Sequence, residues 1–319
     1  MNTVLVTGAG GLCGAAIREL STSNLSFHYT GKRAVAPANT SHYIQADLRV
    51  PEQVRKVFEA TRPDMVIHAA ARVGGIGANI RAPGEFFRDN ILMNTLVIDA
   101  AREYNVSKLI VFSSVCVYSP DISPLTEDKM HVGEPYPAHQ FYGHSKRACD
   151  IMIRAYKKQF GFKNWMSMIP GNIFGKNDNY DLVNSHIIAA LIHKLYLAKR
   201  DNTDFIVWGT GVPTREFVYV DDLARILIDL LRMDQVPERL IVSGEQEFAI
   251  KDVVDLLLKV SEFRGKVVWD TSKPDGQRNR PSDKTLFRSL FPGFRFTDFE
   301  TALRLSWDWF SSNYPNVRM

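Results

Sequence analysis

The stretch Thr3-Val4-Leu5-Val6-Thr7-Gly8-Ala9-Gly10-Gly11-Leu12-Cys13-Gly14 decides the reading of this chain. Its apolar, β-branched opening reads as a short buried strand. The run stops at a glycine-rich turn, after which Leu12, Ala15, Ala16 and Leu20 recur with helical spacing. Gly8, Gly11 and Gly14 cross this junction as G-x-x-G-x-x-G. The first glycine lets the chain turn sharply, the second lets a diphosphate approach the backbone, and the third lets helix and strand pack closely. The helix start then offers free N–H groups and a positive dipole end to the phosphates. The pattern predicts a dinucleotide site at Gly8, Gly11, Leu12 and Gly14; the bland alternative is a glycine turn without a ligand. Cys13 reads as a small packing residue.

Outward from this stretch, strands and helices alternate. Residues 25–30, 43–46, 65–69, 109–112 and 164–169 read as strands, and 51–60, 83–104 and 142–160 as helices. Pro51 suits the first position of its helix, where a missing N–H costs little. This alternation predicts an α/β fold, a Rossmann-type doubly wound parallel sheet with ligands at the carboxyl ends of its strands. The second half is less regular, with Gly/Pro loops around 170–171, 209–213 and 273–281 and helices over 221–231, 250–260 and 300–310. At ~150 residues per domain, 319 residues suggest two domains. We expect a dinucleotide-binding domain over 1–172, joined by 214–245, and a smaller, discontinuous α/β substrate-binding domain over 173–319.

Composition narrows the class. With 45% hydrophobic and 23% charged residues the chain is neither disordered nor a disulfide scaffold. A net charge of +4, without a long basic run, gives no stripe for nucleic acid and suits a small anionic ligand. Uncharged stretches such as 109–120 fall short of the ~18 apolar residues of a membrane span. Cys13, Cys116 and Cys149 are widely spaced, with no metal-ligand pattern, so we expect no metal site and a reducing compartment. With no signal-peptide pattern at the start, the expectation is a cytoplasmic protein that binds neither membrane nor nucleic acid.

Two features point to the cofactor and its chemistry. The second strand ends in Thr30-Gly31-Lys32-Arg33, without the acid that holds ribose hydroxyls in NAD sites. Lys32 and Arg33 suit a 2′-phosphate, which favours NADP(H) over NAD(H), unless they form an ordinary solvated loop. Asp47 is placed to hydrogen-bond an adenine amine. Downstream, Tyr142-Gly143-His144-Ser145-Lys146 sets Tyr142 and Lys146 one helical turn apart on one face. A lysine ammonium there lowers a tyrosine pKa and readies the phenol for proton transfer to a carbonyl oxygen. Ser114, just past the 109–112 strand, bonds the same oxygen. In isolation a Y-x-x-x-K is more often a plain surface helix; beside the glycine loop and Ser114 it is not.

This trio resembles the extended short-chain dehydrogenase/reductase superfamily. Further blocks are similar to the GDP-L-fucose synthase family: His68-Ala69-Ala70-Ala71-Arg72-Val73-Gly74-Gly75-Ile76, Ser114-Val115-Cys116-Val117-Tyr118, Asn184-Ser185-His186, Val207-Trp208-Gly209-Thr210-Gly211 with Arg215-Glu216-Phe217, and Lys273-Pro274-Asp275-Gly276. The resemblance implies NADPH-dependent 3,5-epimerisation and 4-reduction of GDP-4-keto-6-deoxy-D-mannose. It implies Cys116 as the base, His186 as the acid, and Ser114, Tyr142 and Lys146 as activators of the C4 oxygen. It also implies Ala70 on the cofactor, Asn172 facing the sugar, Lys194 and Arg215 near the diphosphate, Trp208 by the guanine, and Lys273 and Asp275 in a substrate loop. A homodimer built as a four-helix bundle from 83–104 and 142–160 of two copies is implied too.

Each residue has a plainer reading alone: a buried apolar-like Cys116, a capping His186, a loop-holding Asn172, a core Trp208, solvated turns at Lys273 and Asp275. Val115, Gly171 and the pair Lys176-Asn177 depart from the family pattern, where Ser or Thr, Thr, and Pro-His stand. The competing functions are another nucleotide-sugar epimerase or reductase, such as an NAD-dependent 4-epimerase, and a silent NADP-binding regulator.

Overall fold

The computed structural model describes residues 1–20, 24–37, 40–273, 275–277 and 281–319. Pro274, from one of the quoted blocks, lies outside them. The elements are β1 (Asn2–Thr7), α1 (Leu12–Glu19), β2 (Leu25–Gly31), β3 (Tyr43–Gln45), α2 (Pro51–Thr61), β4 (Met65–His68), α3 (Ile76–Arg81), α4 (Pro83–Glu103), β5 (Lys108–Phe112), α5 (Gln140–Phe160) and β6 (Asn164–Pro170). There follow β7 (Asn172–Phe174), α6 (Ile187–Asp201), β8 (Phe205–Trp208), β9 (Thr214–Tyr219), α7 (Val220–Arg232), β10 (Arg239–Val242), β11 (Glu247–Ala249), α8 (Ile250–Ser261), β12 (Val267–Asp270), α9 (Thr285–Leu290) and α10 (Phe299–Asn313).

Seven strands form one parallel sheet in the order β10-β6-β5-β4-β1-β2-β3. β1 lies where the order reverses, the switch point at which such sheets bind ligands. Its side chains show why it sits at the centre. Val4 and Val6 enter a core on one face that includes Ile17 of α1 and Leu223 and Leu227 of α7. Leu5 enters the opposite core with Val57 of α2, Val97 of α4 and Ile153 of α5. A strand buried on both faces needs a continuous apolar run, and Val4-Leu5-Val6 supplies it.

A second, smaller core gathers α6, α8 and α10 around two minor sheets, β11-β9-β7 and β12-β8. β9 joins the two cores: Phe217 and Tyr219 point into the second, Val218 and then Val220 into the first. Residues 214–245 are therefore shared. α7 and β10 belong to the main sheet and its covering layer, whereas β9 pairs with β7 and β11. The chain crosses once more, because Phe287 of α9 and Phe291 just after it return to the first core before α10 joins the second.

Sequence periodicity placed the long elements within a residue or two, except α10, which runs three residues beyond 310. The periodicity missed α3, α6, α9, the minor strands and β10 of the main sheet. In α6 the buried residues Ile188, Ala189, Leu191, Ile192, His193 and Leu195 lie on several sides of the helix, so the one-sided period is weak. Among the described residues no helix is long and apolar enough to cross a membrane, and no group of His, Cys, Asp or Glu has the makings of a metal site.

Candidate active site

The glycine loop works by clearance. Gly8 has φ +79°, and a Cβ there would lie 3.0 Å from the Ala70 backbone. A Cβ at Gly14 would lie 2.8 Å from Ala9 Cα and collide with Gly8 O, so α1 packs against β1 only because Gly14 has no side chain. Thr30 O accepts from the N–H groups of Gly8 and Ala9 at 2.9 and 3.1 Å, which pins the loop to β2. α1 begins after Gly11 with no side-chain cap, so its first N–H groups face the cavity unclaimed by a cap.

Beyond β2, Tyr43 donates from its hydroxyl to Arg33 O at 2.7 Å and Gln45 from its amide to Lys32 O at 3.2 Å, so the loop carrying both cations is braced. Asp47 accepts both Nε and Nη2 of Arg49, at 2.9 and 2.6 Å. These bonds, opposed by partial burial, hold its carboxyl well below the usual range, and Lys32 adds a weaker attraction at 3.4 Å. Arg49 reaches on to Asp89 at 3.2 Å, where Arg72 also bonds at 2.8 Å. Burial alone would raise the Asp89 pKa, but Arg72, Arg88 and Arg49 bring it to about 2. Sequence reading missed this chain of ion pairs, since Arg49, Arg72 and Asp89 carry no local motif.

The proton-transfer group forms at the ends of β5 and the start of α5. Ser114 accepts at its Oγ from Cys116 N at 3.2 Å and so caps the tight turn Val115–Val117. α5 fits closely over that turn because a Cβ at Gly143 would lie 2.6 Å from Cys116 O. Arg147, one turn on, donates to Val117 O at 2.8 Å and Gly133 O at 2.7 Å. Tyr142 is thereby brought to Ser114, whose hydrogen bond it shares, and packs edge-on to Phe86 at 6.5 Å. Lys146 donates to Phe112 O at 2.8 Å and lies 6.0 Å from the Tyr142 ring centroid.

The expected lowering of the Tyr142 pKa is not what this geometry gives. Burial raises it, the nearby Cys116 sulfur adds to that, and the Ser114 hydrogen bond opposes both. Tyr142 is held protonated, as a proton donor must be before it acts. Burial also lowers the Lys146 pKa. Beneath them, Thr7 and Asn94 bond the two ring nitrogens of buried His68 at 2.8 and 3.0 Å. Burial and the Lys146 charge pull its pKa down to about 3, so it is neutral.

His186 stands at the N-cap position of α6, across the cavity, but its side chain makes no capping hydrogen bond, and the loop before it docks on the Gly74-Gly75 pair. A Cβ at Gly75 would lie 2.7 Å from Ser185 O, and Gly75 N donates to Asn184 O at 3.1 Å. Asp178, buried behind His186, has one carboxylate oxygen without a hydrogen-bond partner, and burial raises its pKa. At the far end, Lys194 Nζ lies 3.9 Å and Lys273 Nζ 5.6 Å from the centroid of Trp208, which is 52% exposed. Asn172 donates to Glu216 O at 3.0 Å. Asp275 receives Thr210 N at 2.6 Å and Thr210 Oγ1 at 2.7 Å, so it fastens the Gly209 turn. Arg215 Nη1 donates to Thr214 O at 2.6 Å, with its other end near Gly276.

All the sequence-predicted site residues line one cavity of about 1050 Å³, which runs from the glycine loop past Tyr142 to Trp208. His139, Asp178 and Arg318 line it too, without a signal in the sequence. Two of the three departures from the family pattern, at Gly171 and at Lys176-Asn177, have local causes. A Cβ at Gly171 would lie 2.5 Å from Ser243 Oγ. Lys176 bonds Glu19 and Asp221 at 2.9 and 3.2 Å, and Asn177 bonds Glu19 at 3.3 Å, so the pair clasps α1 and α7.

Sheet order, glycine loop and the Ser114, Tyr142, Lys146 set are those of an extended short-chain dehydrogenase/reductase. Residues 4–243 match the model of the NAD dependent epimerase/dehydratase family. The GDP-L-fucose synthase of Dictyostelium discoideum is 39% identical over 99% of this chain and 97% of its own length. That of Escherichia coli (strain K12) is 30% identical, over 99% and 98%. A crystal structure of a GDP-L-fucose synthetase from Naegleria fowleri bound to NADP superposes with a TM-score of 0.87, at 34% identity, covering 100% of this chain and 95% of that one. The chain belongs to the NAD dependent epimerase/dehydratase family and, within it, to the GDP-L-fucose synthases.

Proposed function

We propose that the protein converts GDP-4-keto-6-deoxy-D-mannose to GDP-L-fucose by inverting C3 and C5 and reducing C4 with NADPH. The observation that carries this reading is the single cavity. It joins a diphosphate-shaped glycine loop, a Ser114/Cys116/Tyr142/Lys146/His186 cluster and a basic, aromatic far end at Lys194, Lys273 and Trp208.

The residues fit NADP(H): uncapped N–H groups of α1 for the diphosphate, clearance at Gly8 and Gly14, and Lys32 and Arg33 for a 2′-phosphate. Asp47, already bonded by Arg49, is proposed to receive the adenine amine beside that pair. When bound, the nicotinamide supplies the hydride for C4. The chain does the rest. Ser114 and Tyr142 polarise the C4 oxygen, which acidifies the hydrogens on C3 and C5. Cys116 removes each proton as thiolate, and His186 returns one to the opposite face. Tyr142 then protonates the C4 oxygen, and Lys146 stabilises the phenolate left behind. Lys194 and Arg215 receive the GDP diphosphate, Trp208 the guanine, and Asn172 the sugar. Lys273 adds positive charge, and Asp275 shapes the loop.

On this reading the dinucleotide is held mainly by 1–172 and the GDP-sugar mainly by 173–319. We infer a cytoplasmic enzyme from its three thiols, none in a disulfide. We also infer a homodimer through α4 and α5, which leave Leu92 and Ile151 40% and 55% exposed. The test is NADPH oxidation by the purified protein with GDP-4-keto-6-deoxy-D-mannose, the product read by NMR. GDP-L-fucose is expected; failure to oxidise NADPH with this sugar overturns the reading.

A further inference from the structure

Arg318 is the penultimate residue of the sequence, yet its side chain stands at the glycine loop. Its Nη1 lies 3.7 Å from where a Cβ on Gly11 would be. The tail that carries it is fixed: Arg318 O accepts from Tyr180 N at 2.8 Å, and Val317 packs against the second core. Among the described residues, no hydrogen bond or ion pair engages the guanidinium. Five N–H donors are therefore unspent at the wall of the cavity.

The surroundings ask for an anion. The Arg33 side chain lies 3.7 Å from the corresponding position on Gly10, so two guanidinium-bearing chains flank the loop. Between them opens the uncapped, positively polarised start of α1. Arg318 is repelled by Arg33 and attracted by Asp178, which lies beyond ion-pair distance. The Cys13 thiol beside it is pushed up to about 12 by burial, so it supplies no charge at neutral pH. One carboxylate therefore faces two cations and a helix N-terminus, and a bound diphosphate restores the balance.

We propose that Arg318 is a diphosphate-binding residue of the dinucleotide site, delivered to the Gly10-Gly11 turn by the C-terminal tail. The proposal rests on the reading of this cavity as a dinucleotide site and extends it: the fixed segment that carries Arg318 forms part of the diphosphate wall, and cofactor affinity depends on it.

The test compares wild type, Arg318→Gln and Arg318→Lys by fluorescence titration with NADPH and NADH, and by the Tm of each protein alone. Arg318→Gln should weaken both dinucleotides by the same factor, at least fivefold, and Arg318→Lys by less. The Tm of the unliganded Gln variant should match or exceed that of wild type, because an unpaired cation has been removed from a positive site. Unchanged affinities in a wild-type protein that binds NADPH overturn this inference alone. So does a loss confined to NADPH, which would place Arg318 on the 2′-phosphate, or a lowered Tm with unchanged affinities. Wild type that binds neither dinucleotide overturns the reading of the site as well.

Discussion

Under the glycine loop the wall of the cavity is backbone; at the far end it is side chains. Gly8 and Gly14 pass within about one atom of Ala70 and Ala9, and β1, β2 and β4 fix the loop through ladder bonds. At the other end, Lys194 and Lys273 lie over a half-exposed Trp208, and Asp275 braces a turn between two segments distant in sequence. Backbone clearance cannot adapt to a change, whereas flexible cations over an aromatic ring can. Substitutions should therefore be severe and specific near the glycine loop and Tyr142, and graded near Trp208.

The largest expected effect is at the chemical centre between the two ends. Tyr142→Phe removes the donated proton and should slow NADPH oxidation by about 10³-fold. NADPH affinity, read by titration, should stay within about twofold; a parallel loss of binding would give Tyr142 a structural role. Gly14→Ala comes next. Its methyl meets the Gly8 and Ala9 backbone, so NADPH affinity should fall about 100-fold and stability by about 1–3 kcal/mol in urea unfolding. Wild-type affinity in that variant would mean that the loop yields, and the contrast drawn above would fail.

A third effect is pH-dependent. His68 is fully buried with its pKa at about 3, against 6.5 for the ordinary side chain. As the pH drops through that window the unfolded state takes up the proton first, so stability falls by up to about 1.4 kcal/mol per pH unit. Above about pH 7 the contribution is fully present and flat. His68→Gln should flatten the slope between about pH 6 and 4 in denaturation curves. An unchanged slope would trace the acid sensitivity to other groups. Smallest of all, Lys194→Ala should weaken GDP-sugar binding about three- to tenfold and leave NADPH affinity unaltered. A hundredfold loss would show that the far end is as rigid as the near one.

The same contrast explains what the sequence disclosed. Val4-Leu5-Val6 and the three glycines are local and dictate a strand, a turn and a helix, so the sheet and the loop were legible. Tyr142 and Lys146 were legible because a helix fixes their spacing. Arg49, Asp89, Asp178 and Arg318 were not: Arg49 reaches Asp89, and Asp178 and Arg318 reach the cavity, only through the fold, and Arg318 lies at the opposite end of the chain from Gly11. The direction of the Tyr142 pKa was misread for a related reason. Helical spacing puts Lys146 near, but burial sets the pKa, and burial is not written in a spacing.

The central claim is that one cavity both inverts and reduces its sugar. It is tested most directly in deuterium oxide, by following NADPH oxidation and deuterium at C3 and C5 of the product in one NMR experiment. The account predicts solvent deuterium at both carbons of GDP-L-fucose, and its loss in Cys116→Ser. A reduced sugar with undeuterated, uninverted C3 and C5 from the unmodified enzyme would contradict it.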